Sequence, residues 1–116
     1  MSIRRVVPNT ASDHPAKSKA FYTDFLGLEI AMERDEIIIF ASPDDRTDQI
    51  SVIRPDSKDI PHPDVSIEVT DVDAMFERAV DQGQEVVYPI TDEPWGVRRF
   101  FVEDPNGTII NILSHL

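Results

Sequence analysis

The sequence predicts an α+β fold of two βαβββ modules whose mixed, curved sheets form a cleft, and two observations predict it. Gly27-Leu28-Glu29-Ile30 returns as Gly83-Gln84-Glu85-Val86, 56 positions later in a chain of 116 residues. At each copy an amphipathic helical segment ends, a glycine takes the left-handed position, and a strand with a glutamate on its outer face begins. The order strand, helix, strand, strand, strand then occurs twice, placing module 1 at about residues 1–58 and module 2 at about 59–116 of one domain.

Ile3 to Val7 reads as a short strand, followed by a polar loop from Asn9 to Asp13. Pro15 suits a first helical turn, where its missing N–H is no loss. A helix is predicted from there to about Leu26, with Phe21 and Phe25 at i, i+4 as its buried stripe and Gly27 as its stop. Strands follow over Leu28 to Glu33, Glu36 to Ala41 and Gln49 to Ile53, separated by Arg34-Asp35 and by Ser42-Pro43-Asp44-Asp45. Pro55 to Pro63, with three prolines, reads as the linker.

Val65-Ser66-Ile67-Glu68-Val69 alternates, burying its valines and isoleucine and turning Asp64, Ser66 and Glu68 the other way. Thr70-Asp71-Val72-Asp73 opens the best-marked helix, its carboxylates placed at the positive helix N-terminus. Val72, Met75, Phe76, Ala79 and Val80 form its apolar stripe, and Gly83 ends it. Three strands close the chain: Glu85 to Tyr88, Val97 to Val102 and Thr108 to Leu113, the last two joined by Asp104-Pro105-Asn106-Gly107.

Composition narrows the function classes. A hydrophobic content of 41% suffices for one core at this length. With no cysteine, disulfides, thiolate nucleophiles and zinc–thiolate sites are excluded. Net charge is −11, from 22 acidic and 11 basic residues, which argues against nucleic acid and anionic membranes as partners. No apolar run approaches the roughly 20 residues that span a bilayer, so a soluble cytoplasmic protein is expected.

Ser18-Lys19-Ala20-Phe21-Tyr22 with Phe25-Leu26-Gly27-Leu28-Glu29, and Val102-Glu103-Asp104-Pro105-Asn106-Gly107 before a final apolar strand, resemble the vicinal oxygen chelate superfamily. That group includes glyoxalase I, bleomycin and fosfomycin resistance proteins, and extradiol dioxygenases, and the resemblance covers nearly the whole chain. It implies the glyoxalase/bleomycin resistance/dioxygenase fold. Metal-dependent members carry His, Gln or Glu ligands on the first strand, the fourth, the start of the fifth and the last. Carried across, those positions hold Arg5, Gln49 (or Ser51), Asp64 and Asn111. Arginine has no lone pair to give, so this is a poor set for a divalent ion. A register shift of two would substitute His62, leaving His62, Gln49 and Asn111 as the alternative metal set. His14 and His115 read as surface histidines.

Strand alternation, with the resemblance, turns Arg99 and Phe101 into the cleft beside Asn111, and Trp95-Gly96 sits at its mouth. The ligand-binding candidates are therefore Arg5, Gln49, Asp64, Glu68, Trp95, Arg99, Phe101 and Asn111; Asp64, Glu68 and Arg99 are also the catalytic candidates. A structural alternative pairs Arg5 with Asp64 and Arg99 with Glu68 as ion pairs filling a closed groove. The expected function is binding of a small polar organic ligand, without a cofactor and without metal, in a homodimer like those of the bleomycin resistance branch. One rival is a glyoxalase-type lyase or isomerase, or a dioxygenase, using a divalent metal. In the lyase or isomerase, Asp64 or Glu68 takes a proton next to a carbonyl and Arg5 or Arg99 steadies the enolate oxygen. Another is a non-catalytic dimerisation domain.

Overall fold

A computed structural model describes residues 1–55 and 59–116. The linker expected over Pro55 to Pro63 and the module boundary expected near residue 58 fall partly on residues 56–58, outside the described residues. Eight strands occur in chain order: β1 (Ile3–Ala11), β2 (Glu29–Glu33), β3 (Ile37–Ala41), β4 (Gln49–Ile53), β5 (Val65–Val69), β6 (Glu85–Asp92), β7 (Val97–Glu103) and β8 (Ile109–His115). One α-helix, α1 (Val72–Asp81), lies between β5 and β6, and short helical turns at Pro15–Ser18 and Ala20–Phe25 lie between β1 and β2. The chain divides into one compact unit of residues 1–6 with 63–116 and another of residues 7–62.

The two units repeat one topology. In the second, β1 pairs parallel with β4, and β4, β3 and β2 form an antiparallel meander. In the first, β5 pairs parallel with β8, and β8, β7 and β6 form the equivalent meander. A parallel pair needs a crossover, which is where each module spends its helical segment. Gly27 and Gly83 both have positive φ, 79° and 69°, as the repeated helix stop requires.

α1 follows its sequence closely. Asp71 caps it, accepting from the Ala74 N–H at 3.0 Å. Val72, Met75, Phe76 and Ala79 pack on Val69, Phe100 and Ile112, with Phe76 and Phe100 edge to face at 5.2 Å. Val80, expected in that stripe, is exposed instead. It lies one residue before the last helical position, where the backbone turns towards Gly83.

The first predicted helix differs more. Instead of one α-helix, Pro15–Ser18 makes a 3₁₀ turn and Ala20–Phe25 a π-helical turn. The Thr23 hydroxyl donates back to the Lys19 carbonyl at 2.7 Å, and the Leu26 N–H reaches the Phe21 carbonyl, five residues back. Phe21 and Phe25 still share a face, their ring centroids 5.3 Å apart, but that face is turned to solvent. Phe21 and Phe25, expected to be buried, are 54% and 74% exposed. Tyr22 packs inward instead, stacking on Phe40 at 4.9 Å above Ile38 and Val52.

Several strands run past their expected ends, β1 and β6 furthest. β1 continues through Asn9, Thr10 and Ala11, expected as loop, since these pair with Ser51, Val52 and Ile53. β6 continues to Asp92 opposite Arg98. Among the described residues no helix is long and apolar enough to cross a membrane.

Candidate functional site

One face of the first unit's sheet packs on α1; the opposite face carries the polar residues. The register puts Ser66, Asn111, Phe101 and Tyr88 in one cross-strand row and Glu68, Leu113 and Arg99 in the next. Ile67, Ile112 and Phe100, at intervening positions, face α1. Tyr88 reaches the polar face because β6 shifts register between Val86 and Tyr88 and again before Thr91. Such bulges re-aim a side chain, and Pro89, which has no N–H for the ladder, lies between the shifts.

Arg99 is held on all sides. Its guanidinium lies 4.8 Å from the Phe101 ring centroid, 5.0 Å from Trp95 and 5.2 Å from Tyr88. One Nη is 2.9 Å from Glu93 Oε2, the two side chains being 9% and 8% exposed. The Tyr88 hydroxyl donates to the other Glu93 oxygen at 2.9 Å. Rings, carboxylate and guanidinium thus form a rigid cage in which the charge is both paired and desolvated.

Glu68 organises the other end of the row. Its carboxylate lies 2.6 Å from Arg5 Nε, 3.0 Å from His115 Nδ1 and 3.8 Å from Arg4 Nε. The expected pairs, Arg5 with Asp64 and Arg99 with Glu68, are therefore replaced by Arg5 with Glu68 and Arg99 with Glu93. The reason is geometric: β8 separates β5 from β7, so Glu68 and Arg99 stand two strand spacings apart, roughly 10 Å. Asp64 is exposed and spent on the backbone, Oδ2 accepting from the Ile109 N–H at 2.9 Å. Gln49 belongs to the other unit, where its amide donates to the Arg46 carbonyl at 2.9 Å.

Asn111 is buried between these ends. Its Nδ2 donates to Ser66 Oγ at 3.0 Å, while Oδ1 has no partner among the described residues. An unsatisfied buried acceptor costs about 1–3 kcal/mol, so a native structure that keeps one has a use for it or a water on it.

Glu93 and Tyr88 are absent from the sequence-derived candidates. Alternation counted along β6 cannot cross two register shifts, and Glu93 lies beyond the strand in the turn that returns to Val97. The available signal was Arg99 itself: a buried arginine demands a carboxylate, and the β6–β7 hairpin brings Glu93 alongside.

The donor set does not fit the metal of metal-dependent relatives. Arg5 has no lone pair, Glu68 is clamped by Arg5, Asp64 holds a backbone amide and Gln49 holds its own loop. His62 keeps a buried Nδ1 without a partner among the described residues, its Nε2 lying 3.4 Å from the Asn9 carbonyl. No group of three His, Cys, Asp or Glu able to hold a metal occurs among the described residues.

Solved structures of the same fold span several chemistries. A glyoxalase/bleomycin resistance protein/dioxygenase superfamily member from Vibrio splendidus superposes with a TM-score of 0.74 at 18% identity, over 97% of this chain and 99% of that one. A Mn(II)-bound glyoxalase from Novosphingobium aromaticivorans gives 0.63 at 23% identity, over 97% of this chain and 38% of that one. In sequence, an uncharacterized Mycobacterium bovis protein is 46% identical over 43 residues, which is 37% of this chain and 28% of that protein. The chain thus spans under a third of that curated relative. The profile of the Glyoxalase/Bleomycin resistance protein/Dioxygenase superfamily matches residues 6–112, and the chain belongs to that superfamily.

Proposed function

We propose that this protein binds a small polar organic ligand on the face carrying Asn111 and Arg99, without a metal. The observation that carries it is the buried Asn111 Oδ1, which has no partner among the described residues while Nδ2 is committed to Ser66. A ligand N–H or O–H satisfies that acceptor; Phe101, a sequence-derived candidate, is fully buried beneath Arg99 and Tyr88 and is not a contact in this reading. The ligand class is donor-rich, and the net charge of −11 favours a cationic one.

Metal analysis of the purified protein comes first: stoichiometric Ni, Zn, Mn or Fe would reject metal independence. A thermal-shift series then compares cationic glycopeptides, rich in donors, with small dicarbonyls, which have none. Ligand at a hundredfold excess over Kd stabilises by about 2.7 kcal/mol. Glycopeptide stabilisation that disappears in Asn111→Leu supports the proposal. Stabilisation by dicarbonyls alone favours the lyase or isomerase with Glu68 as base, and stabilisation by neither favours an interaction domain. The proposal includes a homodimer, supported by the exposed Phe21, Phe25 and Leu26 and tested by sedimentation equilibrium.

A further inference from the structure

The unit of residues 7–62 holds a pocket of about 270 Å³. Its apolar lining is Pro15 and Ile38, both buried, and its polar lining includes His14, Arg34, Asp35 and Arg54. The two arginines arrive from different strands and are anchored to one turn. The Arg34 N–H donates to the Ile37 carbonyl at 2.8 Å and the Arg54 N–H to the Glu36 carbonyl at 2.7 Å.

Their side chains hold unused donors. Among the described residues the Arg34 guanidinium has no hydrogen-bond or ion-pair partner, and Arg54 uses Nε alone, on the Asp13 carbonyl at 3.2 Å. Of the two acidic residues lining the pocket, Glu33 is taken by Lys19, leaving Asp35 against two guanidinium groups. With Glu33 closed by Lys19, guanidinium donors outnumber the remaining carboxylate in this lining. Planar guanidinium forks match the two-oxygen edge of a carboxylate or phosphate.

We propose that this pocket binds a small anionic molecule through a carboxylate or phosphate group gripped by Arg34 and Arg54, with its apolar part on Ile38 and Pro15. The test is a ¹⁵N–¹H NMR titration of the full chain with inorganic phosphate and, separately, acetate, at ionic strength matched with sodium chloride. Saturable shifts at the amides of Arg34, Ile38 and Arg54 are expected with at least one of the two, and the one that saturates names the oxyanion. Arg34→Gln and Arg54→Gln each weaken binding about tenfold, the loss of one charge-assisted contact. Both positions are exposed, so melting temperature verifies that the variants fold. Shifts that grow linearly with both anions, or that persist in the double variant, would overturn the proposal. So would a phosphate titration altered by Asn111→Leu, which would assign the anion to the Asn111 site.

Discussion

Glu93→Gln is the sharpest probe of the cage around Arg99. The pair is 2.9 Å apart, with side chains 9% and 8% exposed, so neither group has water to fall back on. Breaking a buried ion pair by removing one partner costs about 3–5 kcal/mol, since the remaining charge is stranded. Arginine cannot escape by losing its proton. Two things soften the loss: the glutamine oxygen still accepts one neutral bond, and three rings within 5.2 Å continue to solvate the cation. The expected destabilisation is therefore about 2–3 kcal/mol, near 8–12 °C in melting temperature for a chain of this length. Arg99→Met should cost less, because the stranded Glu93 keeps the Tyr88 hydroxyl as a hydrogen-bond donor. Glu93→Leu with Arg99→Met should recover much of the loss, as apolar replacement of a buried pair is often neutral. Urea unfolding and calorimetry at neutral pH measure all four proteins. A Glu93→Gln variant within about 0.5 kcal/mol of the parent, the range of ordinary surface substitutions, would refute the claim that this pair is desolvated.

Two further outcomes check other parts of the structure. Asp45 accepts the Thr47 hydroxyl at 2.7 Å and the Thr47 N–H at 3.0 Å. These bonds, the hydroxyl's first, hold its carboxyl below the ordinary value of 3.8. Because the folded value is the lower one, the carboxylate's stabilising contribution is fully present above 3.8 and lost as pH falls through the folded value. A carbon-detected carboxyl titration should show Thr47→Val moving the Asp45 midpoint upward; an unmoved midpoint would show that the hydroxyl is not the cause. At concentrations where the chain is monomeric, Phe25→Ser should change stability by less than about 0.5 kcal/mol, whereas Phe40→Ala should cost about 3–5 kcal/mol. Phe25 is 74% exposed and Phe40 fully buried, and comparable losses in chemical denaturation would mean that the π-helical turn is an α-helix packed through Phe25.

Local chemistry made several features legible. Gly27 and Gly83 announced their left-handed positions because both follow an apolar helical stripe and precede a strand, and both have positive φ. β4 and β5 run over the expected residues, Gln49–Ile53 and Val65–Val69, and in β5 unbroken alternation declares the strand type. Asp71 was recognisable as a helix start for the same local reason: an acidic side chain where N–H groups go unpaired.

The site was legible only in part. Alternation together with the family resemblance turned Arg99, Phe101 and Asn111 to one face and Phe100 and Ile112 to the other: period two says which residues share a face, and the resemblance says which face that is. It could not say which carboxylate meets which arginine, because that depends on strand order and register. Glu68 reached Arg5, since β1 borders β5, while Arg99, two strands away, took Glu93 from a turn beyond β6. Phe21 and Phe25 had the spacing of a buried helical face and do share a face, but the sheet beneath takes Tyr22 instead and leaves both rings exposed.

The sequence by itself determined the duplicated β-α-β-β-β order, its punctuation by glycine and the face of each well-alternating strand. These follow from steric preference and hydrophobic period, which act over a few residues. Only the tertiary structure decided the charge pairs, the re-aiming of Tyr88, the orphaned Asn111 oxygen and the convergence of Arg34 with Arg54. Each of these is set by distances of a few ångströms between segments far apart in the chain, which a local pattern does not encode.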